Sequence, residues 1–203
     1  MKILVFDTET TWFLNKKDPS LNKQPYIIQF AGIFWEINKK NTFTEIERKD
    51  LFFKPPIPIP YGSSQVHHIY DIDVCNAKPI CNHLEDLMSF IWKADVVIGH
   101  NIEYDEDMLK IELQREQKKH LYNPKQVICT MKETVDYCCL KGGGQRFKYP
   151  KLWELHKKLF WEYFIWAHDA MTDVEATLKC FLELKKLQII KLKENNRDVM
   201  SLF

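Results

Sequence analysis

The chain has 203 residues, of which 45% are hydrophobic and 13% aromatic, and six are glycine. This is enough apolar material for one sizeable α/β domain, and it excludes an intrinsically disordered chain. The formal net charge of +1 excludes a protein that coats long stretches of nucleic-acid backbone, although a cleft that grips a few nucleotides is compatible with it.

The six cysteines lack the regular short spacings of a disulfide scaffold or of paired CxxC zinc knuckles, which favours a reducing compartment. The first acid, Asp7, comes too early for a signal-peptide core, and no apolar run approaches membrane-spanning length. We therefore expect a soluble cytoplasmic protein with no membrane contact. The nearest group of potential zinc ligands fits no standard spacing: His67, His68, Cys75, Cys81 and His83.

The chain opens with the hydrophobic run Ile3 to Phe6, which predicts a strand buried on both faces. Asp7 and Glu9 follow, and because they are two residues apart they point the same way from an extended chain. Carboxylates this close repel one another unless a cation lies between them. The stretch is therefore either a divalent-cation site or an acidic turn.

The next elements extend this sheet. After a loop at 10–25, the segments 26–37 and 42–53 are rich in β-branched and aromatic residues, which predicts an antiparallel hairpin. Four prolines between 55 and 60 then predict a stiff extended connection on the surface, which we favour over a motif for a proline-recognising domain.

Apolar residues at helical spacing predict a helix from His83 to Lys93, followed by a strand from Ala94 to Gly99. A second helix is predicted after His100 and continues to about Lys119. This pattern places Asp105 near a helix start, just beyond a strand end, where functional residues of α/β sheets are found.

The second half of the chain predicts a strand at 125–129, a helix at 131–139, a short helix near 152–159 and a long helix from about Ala170 to Ile190. Asp173 lies in the first turns of that last helix. Without a repeat or linker, we predict one domain at 1–190 and a tail at 191–203. The residues that flank the triple glycine at 142–144 either contact phosphate or form a solvated loop: Lys141, Arg146 and Lys148.

Four carboxylates and one histidine lie at the edges of these predicted elements. Singly, Asp105 and Asp173 would suit ordinary helix starts. Together the five residues suffice for a phosphodiester hydrolase in which two divalent cations, ~4 Å apart, stabilise the attacking water and the leaving oxygen. Oxygen ligands favour Mg²⁺ or Mn²⁺ over Zn²⁺. His168, with a reference pKa of ~6.5, suits a general base.

Three stretches, FDTET at 6–10, HNIEYD at 100–105 and HDAMTD at 168–173, resemble the motifs of the DnaQ-like 3′-to-5′ exonucleases, in the branch named DEDDh. The resemblance covers roughly residues 3 to 187. It implies a ribonuclease H-like fold of the α/β class, with a mixed five-stranded sheet flanked by helices, and makes 1–190 a DnaQ-like exonuclease domain.

The resemblance also implies roles for individual residues. Asp7 would bridge two Mg²⁺ or Mn²⁺ ions, Glu9 and Asp173 would complete the site for the nucleophilic water, Asp105 would hold the second ion, and His168 would be the general base. The expected substrate-binding residues are Thr8, Thr10, Trp12, His67, Asn101 and Tyr104.

The sequence departs from the family at three positions. Family members usually have glycine where Trp12 and His68 stand, and often an aspartate where Cys129 stands. Trp12 either stacks on a base or packs on the sheet edge, and we expect packing. None of the three is an expected metal ligand, so the departures bear on substrate preference rather than on activity.

The leading hypothesis is a 3′-to-5′ exonuclease of single-stranded or frayed DNA, of proofreading or repair type, that releases nucleoside monophosphates. An exoribonuclease is the alternative within the same chemistry, and a non-catalytic binding module is the alternative of another class. The tail residues Met200, Ser201, Leu202 and Phe203 resemble the end of the peptide by which bacterial replication proteins bind the sliding clamp. This resemblance implies a clamp or polymerase partner. Truncation after Asp198 should abolish clamp binding and leave exonuclease activity intact.

Overall fold

The computed structural model describes residues 1–38, 42–144, 146–162 and 169–192. Within these residues one five-stranded sheet has the order β3-β2-β1-β4-β5. Strands β1, β2 and β3 pair antiparallel, while β4 pairs parallel with both β1 and β5. The predicted mixed five-stranded sheet is therefore confirmed. The strands are β1 (Lys2–Thr10), β2 (Ile27–Ile37), β3 (Phe43–Phe52), β4 (Val96–Gly99) and β5 (Val127–Cys129).

Helices cover both faces of this sheet in the described part of the chain. One face packs against α3 and α4 through a core that includes Leu4 and Phe6, and the other packs against α7 and α8 through a core that includes Ile3 and Val5. The opening strand is thus buried on both faces, as its apolar run predicts. The α-helices are α1 (Tyr61–His67), α2 (Asp71–Val74), α3 (Leu84–Trp92), α4 (Ile102–Arg115), α5 (Thr130–Glu133), α6 (Val135–Cys138), α7 (Leu152–Phe160) and α8 (Ala170–Lys186).

Two helices end earlier than predicted, α4 at Arg115 rather than near Lys119 and α8 at Lys186 rather than near Ile190. In each case the second residue beyond the helix is left-handed, Gln117 with φ 56° and Gln188 with φ 60°. The amides that follow bond back to carbonyls of the last turn, as in a Schellman motif. Glycine usually occupies that left-handed position, so a glutamine there gives no stop signal in the sequence.

Other helical segments also differ from the prediction, and the four-residue α2 was not predicted. The helix predicted at 131–139 is divided into α5 and α6 at Thr134, whose buried hydroxyl donates to the Thr130 carbonyl at 2.7 Å. Helix α1, which follows the proline connection, was not predicted. The C-cap of α1 is His68, which has a left-handed φ of 58° at a position where the family usually has glycine.

The loop between β1 and β2 is fastened to α4. The Arg115 guanidinium lies 3.8 Å from the centre of the Tyr26 ring and donates to the carbonyls of Leu21, Gln24 and Pro25. Arg115 also pairs with buried Glu112, which lies on the same helix. The loop that follows the first acidic motif is therefore held in one place, although it contains little regular structure.

No helix among the described residues is both long enough and apolar enough to cross a membrane.

Candidate active site

Asp7 and Glu9 lie within β1, which extends through Thr10 rather than ending before the acidic motif. Side chains alternate along a strand, so Asp7 and Glu9 share the face of Ile3 and Val5, which is covered by α8. Thr8 and Thr10 point to the opposite face. The predicted common direction of the two carboxylates follows from this register.

Helix α8 brings the third carboxylate to the same face. Its N-cap is Asp169, whose Oδ2 accepts from the Thr172 amide at 2.9 Å and from the Thr172 hydroxyl at 2.7 Å. Asp173 lies in the first turn. One carboxylate oxygen from each of Asp7, Glu9 and Asp173 lies within 4.8 Å of the other two.

Asp105 reaches the site from α4, at the open side of β1. The β1–β4 ladder ends at the pair Val5–Ile98, so β4 offers no partner to the Thr8 amide. Asp105 takes its place, because its Oδ1 accepts from the Thr8 amide at 2.9 Å and from the Thr8 hydroxyl at 2.6 Å. Thr8 therefore holds a carboxylate in position, in addition to its predicted role at the substrate.

Burial dominates the electrostatics of these groups. Burial, together with the neighbouring charges of Asp105 and Asp173, raises the pKa of Asp7 well above its ordinary value. Burial raises the pKa of Glu9 to about 8, and it raises the pKa of Asp105 to about 7 against the opposing hydrogen bonds from Thr8. A divalent cation favours the ionised forms, so cation binding and proton loss are coupled here.

The donor set fits a hard divalent cation. Asp7, Glu9 and Asp173 offer only carboxylate oxygens, and within the described residues no histidine or cysteine joins their group. Asp105 lies outside that group of three, but among the neighbouring charges it has the largest effect on the pKa of Asp7. The predicted ligands thus fall into a tight group of three and a fourth carboxylate beside Asp7.

Thr10, Tyr104 and the Trp12 backbone form a second group next to the carboxylates. The Thr10 hydroxyl lies 2.6 Å from the Tyr104 hydroxyl, and both lie within 2.9 Å of the Trp12 carbonyl oxygen. The Trp12 indole packs against Gly62 of α1, and 52% of the residue is exposed. The indole is therefore packed in part, and its role at the substrate stays a prediction.

The other predicted substrate-binding residues, Asn101 and His67, differ in their exposure to solvent. Asn101 is exposed at the N-cap of α4, with a left-handed φ of 64°. His67 is buried at the end of α1, and its Nδ1 accepts from the Ile69 amide at 3.1 Å. His168 lies outside the described residues, so its role as general base stays a prediction, as does the role of the tail at 200–203.

The three basic side chains that we expect to contact phosphate, Lys141, Arg146 and Lys148, are all exposed. Lys141 pairs with Phe147 in an isolated antiparallel bridge that closes the glycine loop. Lys148 donates from Nζ to Glu154 at 2.6 Å, so a phosphate would have to compete with that carboxylate. Arg146 directly precedes Phe147 in the same loop.

His100 connects the segment after the glycine loop to the end of β4. Its Nε2 lies 3.0 Å from the Pro150 carbonyl oxygen, which can only accept, so the proton is on Nε2. Nδ1 lies 3.0 Å from the Thr130 hydroxyl, whose oxygen is also 3.2 Å from the Gly99 carbonyl oxygen. Burial lowers the pKa of His100 to about 4, so the ring is neutral at pH 7 and acts as a fixed link.

Two residues near the carboxylates were missed in the sequence. Asp169 lies inside the third motif, and its charge contributes to the raised pKa of both Asp7 and Glu9. An aspartate three residues before Thr172, at a helix start, is an N-cap signal that could have identified it. Gln29 is fully buried in β2, where a polar residue in an apolar run was the available signal.

A mixed sheet with convergent carboxylates at its centre defines a metal-dependent nuclease. The family model RNase_T, described as an exonuclease, matches residues 4–181. The chain therefore belongs to this exonuclease family, which confirms the predicted DnaQ-like class and the ribonuclease H-like fold. The sequence search among curated proteins found no match.

Solved structures of Escherichia coli exonuclease I share the fold. The zinc-bound complex with single-stranded DNA has a TM-score of 0.70 at 19% identity, over 92% of this chain and 41% of that one. Complexes with dA16 and dT13 oligonucleotides each have a TM-score of 0.67 at 17% identity. They cover 93% and 92% of this chain, respectively, and 42% of each exonuclease I chain. The chain thus spans about two-fifths of the length of exonuclease I.

The raised pKa values predict how stability depends on pH when a chelator is present. A carboxyl group whose pKa is higher in the folded chain stabilises the fold while protonated, and this contribution is lost as pH rises. We expect the melting temperature in EDTA to fall between about pH 4 and pH 8, and Asp7→Asn to flatten that fall. Differential scanning fluorimetry across this range measures both.

The same substitution separates stability from activity. Asp7→Asn should reduce nuclease activity at least about a hundredfold, because even outer-shell partners of metal sites are worth roughly ten- to a hundredfold. A variant that kept wild-type activity, or a pH profile that was the same for both chains, would contradict this account of the site.

Proposed function

We propose that the chain is a two-metal 3′-to-5′ exonuclease that hydrolyses the terminal phosphodiester bond of single-stranded or frayed DNA and releases nucleoside monophosphates. The observation that carries this proposal is the convergence of Asp7, Glu9 and Asp173 within 4.8 Å, with Asp105 fixed beside them by Thr8. A proofreading or repair role suits this activity.

Each carboxylate has a part in this proposal. Asp7, Glu9 and Asp173 would hold one cation, and Asp7 with Asp105 would hold the second. The cations, Mg²⁺ or Mn²⁺, would neutralise charge on the phosphate and stabilise the attacking and leaving oxygens. His168 would accept the proton of the attacking water.

The surroundings of the site favour an unpaired 3′ end as substrate. Trp12 is about half exposed, and its carbonyl oxygen accepts from the Tyr104 hydroxyl beside the carboxylates. Exposed aromatic rings bind unpaired bases with little sequence preference. Asn101 is exposed nearby, at the start of the helix that contains Asp105. Exonuclease I, which has the same fold, is described in complexes with single-stranded DNA.

RNA is the second candidate substrate, since no side chain of the site in the described part of the chain is assigned to the 2′-hydroxyl. A non-catalytic binding module is disfavoured, because the four carboxylates expected of an active enzyme are all present around β1. We also propose that the exonuclease domain spans 1–190 and that the tail at 191–203 binds a sliding clamp or polymerase through residues 200–203.

An end-labelled degradation assay tests the proposed function. Oligomers of DNA and RNA with matched sequence, each labelled in turn at the 5′ or 3′ end, are incubated with Mg²⁺ or with EDTA. We expect stepwise shortening from the 3′ end of DNA, release of nucleoside monophosphates, and no reaction in EDTA. A large preference for RNA would overturn the proposed substrate, and equal inactivity of wild type and Asp7→Ala would favour the binding module.

Substitution of Trp12 tests the aromatic face. Trp12→Ala should raise KM for a single-stranded oligonucleotide about tenfold, because a stacked base is worth roughly 1–3 kcal/mol. Trp92→Ala is the matched control, since this tryptophan at the end of α3 is similarly exposed, at 45% against 52%. Steady-state kinetics with both variants measure the effect. Equal KM values for the two variants would exclude Trp12 as a stacking surface.

A further inference from the structure

Gln29 is a fully buried amide beside the carboxylates. It lies in β2 directly opposite Glu9 in the antiparallel register, on the face covered by α8. Cross-strand neighbours of this kind have Cβ atoms roughly 5 Å apart. A buried amide is unfavourable unless its donors and acceptor are bonded, so its partners indicate what it does there.

The bonds of Gln29 fix the orientation of its amide. Nε2 donates to Asp50 at 2.9 Å and to Asp169 at 3.2 Å, and Oε1 accepts from the Ala170 amide at 3.3 Å. Ionised carboxylates only accept and a backbone amide only donates, so the flipped orientation would lose all three bonds. Lysine and arginine lack the acceptor, and glutamate lacks the donors.

Two of these bonds reach the start of α8. Asp169 is the N-cap of the helix and Ala170 is its first residue, so Gln29 binds the two residues at which the helix begins. Asp173 follows within the first turn. Gln29 therefore joins β2, at the position opposite Glu9, to the helix that contains Asp173. Asp7 and Glu9 lie on β1, the neighbouring strand.

We infer that Gln29 is a positioning residue that fixes the start of α8 relative to β1, and so sets the affinity of Asp7, Glu9 and Asp173 for a divalent cation. Without this link, repulsion among the three carboxylates favours movement of α8 away from β1. The inference rests on the proposed cation site and is independent of the identity of the nucleic acid.

A merely structural role would have a different signature. If Gln29 only filled and satisfied the interior, its loss would lower the melting temperature in EDTA but would leave cation affinity unchanged. If Gln29 positions α8, its loss raises the cation concentration needed for half-maximal stabilisation. The two roles are therefore separated by a cation titration, without any measurement of nuclease activity.

The experiment uses Gln29→Met, which has similar volume and no hydrogen bonds to offer. The melting temperature of each chain is followed as Mn²⁺, and separately Mg²⁺, is added at fixed pH. We expect the half-saturating concentration to rise roughly ten- to a hundredfold, as for other residues that orient metal ligands. Activity should recover in excess cation, with KM for the oligonucleotide unchanged.

Asp50→Ala is the matched control, because it removes one partner of Gln29 but keeps the bonds to Asp169 and Ala170. It should leave cation affinity near that of wild type. If Gln29→Met does not fold, Gln29→Asn, which keeps an amide but is one methylene shorter, should show the same loss of affinity.

Unchanged cation affinity in a folded Gln29 variant would overturn the inference, as would a wild-type chain that no cation stabilises. A wild-type chain that binds cation but degrades no nucleic acid would instead overturn the proposed function, and loss of affinity in Gln29→Met would then still support the positioning role.

Discussion

Electrostatic repulsion between carboxylates is the constraint on which this structure depends. Oxygens of Asp7, Glu9 and Asp173 lie within 4.8 Å of one another, and Asp105 lies close enough to raise the pKa of Asp7 further. At this separation two ionised groups repel by about 3 kcal/mol for an effective dielectric constant of ~20. The fold must oppose this repulsion until cations or protons remove it.

The four carboxylates are held in three different ways. Asp7 and Glu9 belong to the central strand, which is paired on one side along its whole length with β2. Asp105 is bonded to the open edge of that strand through Thr8. Asp173 depends on the placement of a helix start, which is fixed by the Asp169 cap and by Gln29. The position of Asp173 therefore depends on bonds between β2 and the start of α8.

The sequence predicted the sheet and the acidic motifs because both depend on local patterns. Strand alternation set the common direction of Asp7 and Glu9, and the motif spacing placed Asp105 and Asp173 at helix starts. The ends of α4 and α8 were wrong because glutamine occupies left-handed positions where glycine would have signalled a stop. The role of Gln29 could not be predicted, since its partners are 21 and 140 residues away in sequence.

In the proposed site, the buried carboxylates exchange protons for divalent cations. Isothermal titration calorimetry of Mn²⁺ at pH 7, in two buffers with different ionisation enthalpies, counts the protons released on binding. Because the pKa of Glu9 is raised to about 8 and that of Asp105 to about 7, we expect release of about one proton or more per chain. Binding of Mn²⁺ to the wild-type chain without proton release would contradict this exchange.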